Sequence, residues 1–257
     1  TVSKNDADAT IRKYAGEVLK EFHELLTSKK SIDEISLLAK SKDSTSRAIA
    51  AKIIGFTGNQ DFIPLLRNLI KDLDPQVKMA AIGAIVRFNH KEMWPLLVEL
   101  LSDNNFKQTA KSAIVSIGEP MIDLLEKAFY KSGAKLELFI NIVEIYGLIG
   151  GEKAEQHLID KISYPQRKVV LEALAALRVI GFSTDNEKVL NQIYTAIEQN
   201  IGITAWNIAS FLDVGTLGLP NQQLEKALEA EIHANTNLIF ELLSLAYDPK
   251  SIKHIRE

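Results

Sequence analysis

Small and apolar residues return at a fixed phase along most of this chain. Take Val77 to Asn89 as one register of thirteen positions; Ser46 to Gly58, Phe106 to Gly118 and Val169 to Gly181 then align to it without a gap. Leu138 to Gly150 and Ile203 to Gly215 fit less well, and Asn235 to Tyr247 is a seventh, weaker copy. The thirteenth positions fall at 58, 89, 118, 150, 181, 215 and 247, in steps of 31, 29, 32, 31, 34 and 32. A period of that size marks stacked supersecondary units, each too small to bury its own apolar face.

Each copy predicts two helices. The second, helix B, carries small or apolar residues at positions 5, 8, 9 and 12, as in Ala81, Ala84, Ile85 and Phe88. That spacing puts them on one helical stripe. Gly58, Gly118, Gly150 and Gly181 follow the stripe, where a C-terminal cap requires positive φ. Helix A of the next copy starts at once, with Pro64, Pro95 and Pro120 in first turns that need no N–H. Strand signals are lacking. The pattern predicts an all-α fold, a right-handed α-α superhelix of about seven helix pairs. Residues 1–257 form a single solenoid domain on this reading. Residues 1–29 hold an amphipathic N-terminal helix over 10–27, 30–250 hold the repeats, and 251–257 open a further one. The chain begins at Thr1 and stops at Glu257 inside an apparent helix, so it is expected to be a segment of a longer protein.

These features resemble the short class of HEAT repeats, within the armadillo-like solenoids. The residues that carry the resemblance are Asp43 and Arg47, Asp74 and Lys78, and Asp103 and Lys107, with the Ala and Gly positions above. In that family such acid and base pairs form a ladder between stacked repeats. An acid near the start of helix B also favours the helix dipole, and its partner lies one turn on. In copies four and five the ladder fails: Lys135 and Phe139, then Gln166 and Val170, stand at those positions. Residues 237–249 also resemble, less specifically, a segment of HEAT domains attached to bacterial ATP/ADP translocase-like transporters. That likeness implies the cytoplasmic domain of a transporter-like membrane protein.

Composition narrows the chemistry. Net charge is −3, so no whole-molecule attraction to nucleic acid or anionic membrane is expected. No cysteine is present, which removes disulfides, thiolate nucleophiles and Cys-ligated metals together. The longest apolar runs stop far short of the roughly 20 residues of a membrane span. His23, His90, His157, His233 and His254 never stand three or four residues apart, and the one His-Glu pair, His23-Glu24, belongs to no metal motif. HEAT-type hydroxylases use several such pairs. Gly147, Gly150 and Gly151 follow a helix rather than a strand, so no phosphate loop is supported. HEAT-like DNA glycosylases need a basic groove, aromatics and a carboxylate. Here Trp94 falls in a helix A core pattern, and the ladder accounts for Arg47, Lys78 and Lys107.

Two features remain. Between residues 169 and 249 only Arg178, Lys188 and Lys226 face ten acidic residues, which reads as a solvated acidic face or a surface for a basic partner. Residues 138–149 are apolar nearly all round, so that helix is buried on every side or meets a partner. Phe139, Ile140, Val143 and Leu148, with Arg178, are the candidate partner surface. The expected function is a non-enzymatic, cytoplasmic binding or scaffolding module without cofactor, presenting a concave helical surface to a protein or to another domain of its own chain. A glycosylase-like nucleic-acid binder and a HEAT-type lyase or hydroxylase are the alternatives.

Overall fold

The computed structural model describes residues 29–131, 133, 135–216 and 222–256. The helix expected over 10–27 and the pair His23-Glu24 lie outside the described residues. Thirteen α-helices and no strand are found among those described: the chain is an all-α solenoid. It forms two compact units that divide after Leu124.

The first unit holds copies one to three, each a pair of antiparallel pattern: α1 (Lys29–Ala39) and α2 (Ser44–Thr57), α3 (Ile63–Leu69) and α4 (Pro75–Phe88), α5 (Trp94–Glu99) and α6 (Lys107–Ile117). Asp43 caps α2 by accepting from the Ser46 N–H, and Asp74 caps α4 by accepting from Gln76 and Val77 N–H. The far ends turn left-handed, at Gly58 with φ 62° and at Asn89 with φ 49°. The periodic stripe is the core: Ala50, Ile54, Ala81, Ile85, Ala110 and Ile114 are all fully buried. Helices α2 and α4 touch backbone to backbone, since a Cβ on Gly55 would lie 2.8 Å from the Ala84 Cα.

The second unit holds copies four and five: α7 (Ile122–Phe129) and α8 (Leu136–Ile149), then α9 (Gly151–Lys161) and α10 (Arg167–Val179). The same close contact recurs three copies on, where a Cβ on Gly147 would lie 2.8 Å from the Ala176 Cβ. Gly55 and Gly147 both hold position 10 of their copies, and Ala84 and Ala176 both hold position 8. Cap side chains are gone: Lys135 and Gln166 stand at the starts of α8 and α10 without a capping bond.

Copies six and seven keep the solenoid's helical character but do not divide into pairs. They form two long helices, α11 (Glu187–Thr216) and α12 (Gln222–Ala246), packed as a hairpin. Asn200 stands where Asp43 and Asp74 cap their helices, yet its side-chain amide donates to the Ala196 carbonyl within the helix. Ile232 fills that place in copy seven and has nothing to cap with. Gly215 matches Gly181 in phase, but it lies within a helix rather than after one. Arg167 ties α10 to α12 through a two-pronged pair with Glu231, at 2.8 and 2.9 Å, and a bond to Asn235. Helix α13 (Pro249–Arg256) follows Asp248, which accepts from the Ser251 N–H and hydroxyl.

Candidate protein-binding surface

In the first unit one acid–base rung joins neighbouring copies, with a partner other than the expected one. Arg47 reaches forward to Asp72, with Nε 2.7 Å from Oδ2 and Nη2 3.0 Å from Oδ1. It also donates to the carbonyls of Ser41 and Lys42. Asp72 rather than Asp74 therefore joins copy one to copy two. The Arg47 guanidinium holds the Asp72 carboxyl below its usual range. Asp43 is held low by its Ser46 bonds, and Arg47 contributes little to that. Lys78 lies 4.5 Å above the Phe106 ring, a cation–π contact. Asp103 accepts from the Asn105 N–H, and Lys107 reaches Asn104 at 3.5 Å.

In the second unit the rung persists with different chemistry. Phe139 holds the place of Arg47, and Tyr164 holds the place of Asp72. Their rings meet edge to face at 6.0 Å, and Phe129 lies 4.6 Å from Phe139 and 5.2 Å from Tyr164. An ion pair has been exchanged for an aromatic cluster at the same register.

That cluster corrects part of the expected partner surface. Phe139 is buried and Val143 is fully buried, so both are core and neither can meet a partner. Their helix looks apolar all round because α7, α9 and α10 enclose it. Ile140 is half-buried, and only Leu148, at 53% exposed, faces out. Arg178 is at the surface but tied down: it pairs with Glu241, which also accepts from Arg256 Nη1 at 3.2 Å. Both line a cleft of about 460 Å³ with Phe240, Ser244 and Ile252. Trp94 is buried, as its helix A pattern predicts.

Sequence reasoning missed a polar cluster inside the second unit. Lys161 is fully buried, and its Nζ donates to Glu126 Oε1 at 2.7 Å and to the Tyr130 hydroxyl at 3.2 Å. The ammonium also sits 4.5 Å above the Phe129 ring. Tyr146 donates to Glu126 Oε2 at 2.7 Å, and His157 Nδ1 lies 3.3 Å from Oε1. The charges compensate one another, and this binds α7, α8 and α9 together. The one hint in the sequence is a lysine between Ile159 and Ile162 at a core phase. Among the described residues no three His, Asp or Glu side chains come together as a metal site.

What does face outward is a row at position 11 of the B helices. In the first unit Phe56 is 60% exposed, and Arg87 lies 4.7 Å over its ring. In the second unit Leu148 and Val179 hold this position, and Val179 is 71% exposed. They flank a depression of about 80 Å³ floored by Gly147, Ala175 and Ala176, with Glu144 and Glu172 at its edge. The Gly147–Ala176 approach makes the floor, because no side chain fits between the helices there.

A family model described as HEAT repeats matches residues 33–118. Repeats of this family serve in general as protein-interaction scaffolds and are typically non-catalytic. No curated protein matches the chain in sequence. Among solved structures the chain is similar to the crystal structure of an engineered protein, a structural-genomics target, at 15% identity and a TM-score of 0.37. That match covers 80% of this chain and 97% of the other. No described helix is long and apolar enough to cross a membrane.

Proposed function

We propose that the chain is a non-catalytic binding module whose second unit takes an apolar protein segment bearing basic residues. The observation that carries this is the outward pair Leu148 and Val179 beside Glu144 and Glu172. An apolar patch with charge at its rim is the ordinary anatomy of a protein-binding site. The equivalent place in the first unit differs in charge, since a cation, Arg87, lies over the Phe56 ring there where the second unit presents acids. The acids at the rim select charge and speed encounter more than they add affinity.

The test compares two synthetic helical peptides, one of Leu and Lys and one of Leu and Glu, by fluorescence titration. The Leu/Lys peptide is expected to bind at about 10–100 μM and to weaken at high salt. In the double variant Leu148→Asp, Val179→Asp it should bind about tenfold more weakly. Equal binding of both peptides, or unchanged binding to the variant, would remove this reading. Because both side chains are exposed, helicity should be unaltered.

A further inference from the structure

The long hairpin has an inverted pattern. From Glu198 to Ala234 no described residue is buried. Along α11 the positions turned toward α12 are polar or only half-buried: Asn200, Thr204, Asn207 and Phe211. The opposite face is apolar. Trp206 is 74% exposed and Leu212 61%, and Ile201, Ile203 and Ile208 are about half exposed. Residues 199–212 carry no charge, and Glu198 and Asp213 bracket them. A stretch of paired helices without a fully buried side chain draws little stability from its own packing, because hydrogen bonds within helices do not offset the ordering of the chain. An occupant on the apolar face would supply the missing burial.

We infer that the cover is a second copy of the same chain, so that two hairpins associate through α11 into a symmetric four-helix assembly. Three observations favour this occupant. First, the face is self-complementary. At a helical step of about 100° per residue, Gly202, Ala205 and Ala209 form a shallow groove down its middle. Ile201, Ile208 and Leu212 form one ridge, and Ile203 and Trp206 the other. A Cβ on Gly202 would meet nothing within 4 Å, so the groove is open. The ridge of one copy fits the groove of another related by a two-fold axis. Second, the area suffices: the exposed apolar side chains present roughly 600 Å² per chain, or about 1,200 Å² for a pair, the lower bound of a specific interface. Third, the stripe is neutral. A basic or acidic partner would lose the hydration of its charges against it, whereas an identical neutral stripe loses none. The missing Lys and Arg along it also disfavour an anionic lipid surface.

The chain has no cysteine and two tryptophans, Trp94 buried and Trp206 exposed, which makes it its own probe. Sedimentation of the whole chain up to about 100 μM should give a dimer that dissociates on dilution, with the Trp206 emission moving red as it does. Trp206→Glu should raise the dimer Kd by about 30-fold or more, and Leu212→Lys should act likewise, both at full helicity. Ala205→Cys, near the expected axis, should form a disulfide-linked dimer under mild oxidation. A monomer at the highest concentration overturns the inference. So does a dimer that survives both variants, or a monomer that sediments with phosphatidylcholine vesicles.

Discussion

Arg47 with Asp72 and Phe139 with Tyr164 occupy the same two places of the repeat, one pair in each unit. Both join a B helix to the loop before the next B helix. The first is a charged, partly buried rung, and the second is an aromatic one around the buried Phe139. Beneath both lies the same contact, Gly55 on Ala84 and Gly147 on Ala176. The repeat therefore fixes the approach of neighbouring helices through a small residue at position 10. It leaves the rung free to vary, provided the two partners change together. A lone arginine facing Tyr164, or a lone phenylalanine facing Asp72, would bury an unmatched group.

The sharpest way to break the equivalence is to truncate the aromatic rung. Phe139→Ala removes the ring shared by Phe129 and Tyr164 and opens a cavity beside the buried Phe129 and the half-buried Tyr164. Chemical denaturation should show a loss of about 3–4 kcal/mol. Arg47→Ala should lose less, since the pair it breaks is partly open to solvent and its loss leaves no cavity in the core. Comparable losses for the two variants would mean the rungs are not alternatives of unequal depth.

Next in size come the shared contacts. Gly55→Ala and Gly147→Ala each place a methyl 2.8 Å from a neighbouring helix, so the helices must part. Each should destabilise by about 2 kcal/mol, and by similar amounts if the two contacts are the same device. Gly147→Ala should also widen the depression between Leu148 and Val179, visible as weaker Leu/Lys peptide binding.

The period, the apolar stripe and the ends at 58, 89, 118, 150 and 181 were legible because each depends on local chemistry: Ala and Ile phase, Asp caps, residues that take positive φ. The absence of the ladder at Lys135 and Phe139 was legible too, but its replacement was not. Tyr164 reads as an ordinary loop aromatic until its neighbour across the repeat is known. The apolar run 138–149 admits two readings, core or interface, and only the packing of α7, α9 and α10 places Val143 inside. The buried Lys161 was missed for the same reason, as its partner Glu126 is 35 residues away. The hairpin misled by likeness: Gly215 keeps the phase of Gly181, but no side chain caps a new helix at Asn200 or Ile232. A glycine permits a turn without commanding one.

That last contrast gives the third test. At Gly181 φ is +70°, and the following Phe182 N–H bonds back to the Leu177 carbonyl, closing α10. Gly181→Ala forces a side chain into the left-handed region and should destabilise by about 1 kcal/mol. Gly215 is helical with open space where a Cβ would stand. Gly215→Ala should stabilise by roughly 0.5–1 kcal/mol. Opposite signs in thermal melts confirm that one repeat position has two conformations, whereas losses at both would mean that the chain also turns at 215.

The smallest effect concerns charge. Folding lowers the Asp72 carboxyl because Arg47 binds its ionised form. A group whose pKa falls on folding contributes stability above its unfolded value, near pH 4, and loses that contribution as pH drops through the folded value. Asp72→Asn should therefore lower Tm at pH 7 by about 2 °C, and the gap from the parent should close in acid. Tyr164→Phe changes the matching place of the other unit but leaves no group that titrates in this range, so whatever its effect on Tm, the shift should be the same at pH 7 and pH 4. If the Asp72→Asn gap stays constant down to pH 3, the Arg47 pair adds nothing to folding, and the charged rung only positions the loop between α3 and α4.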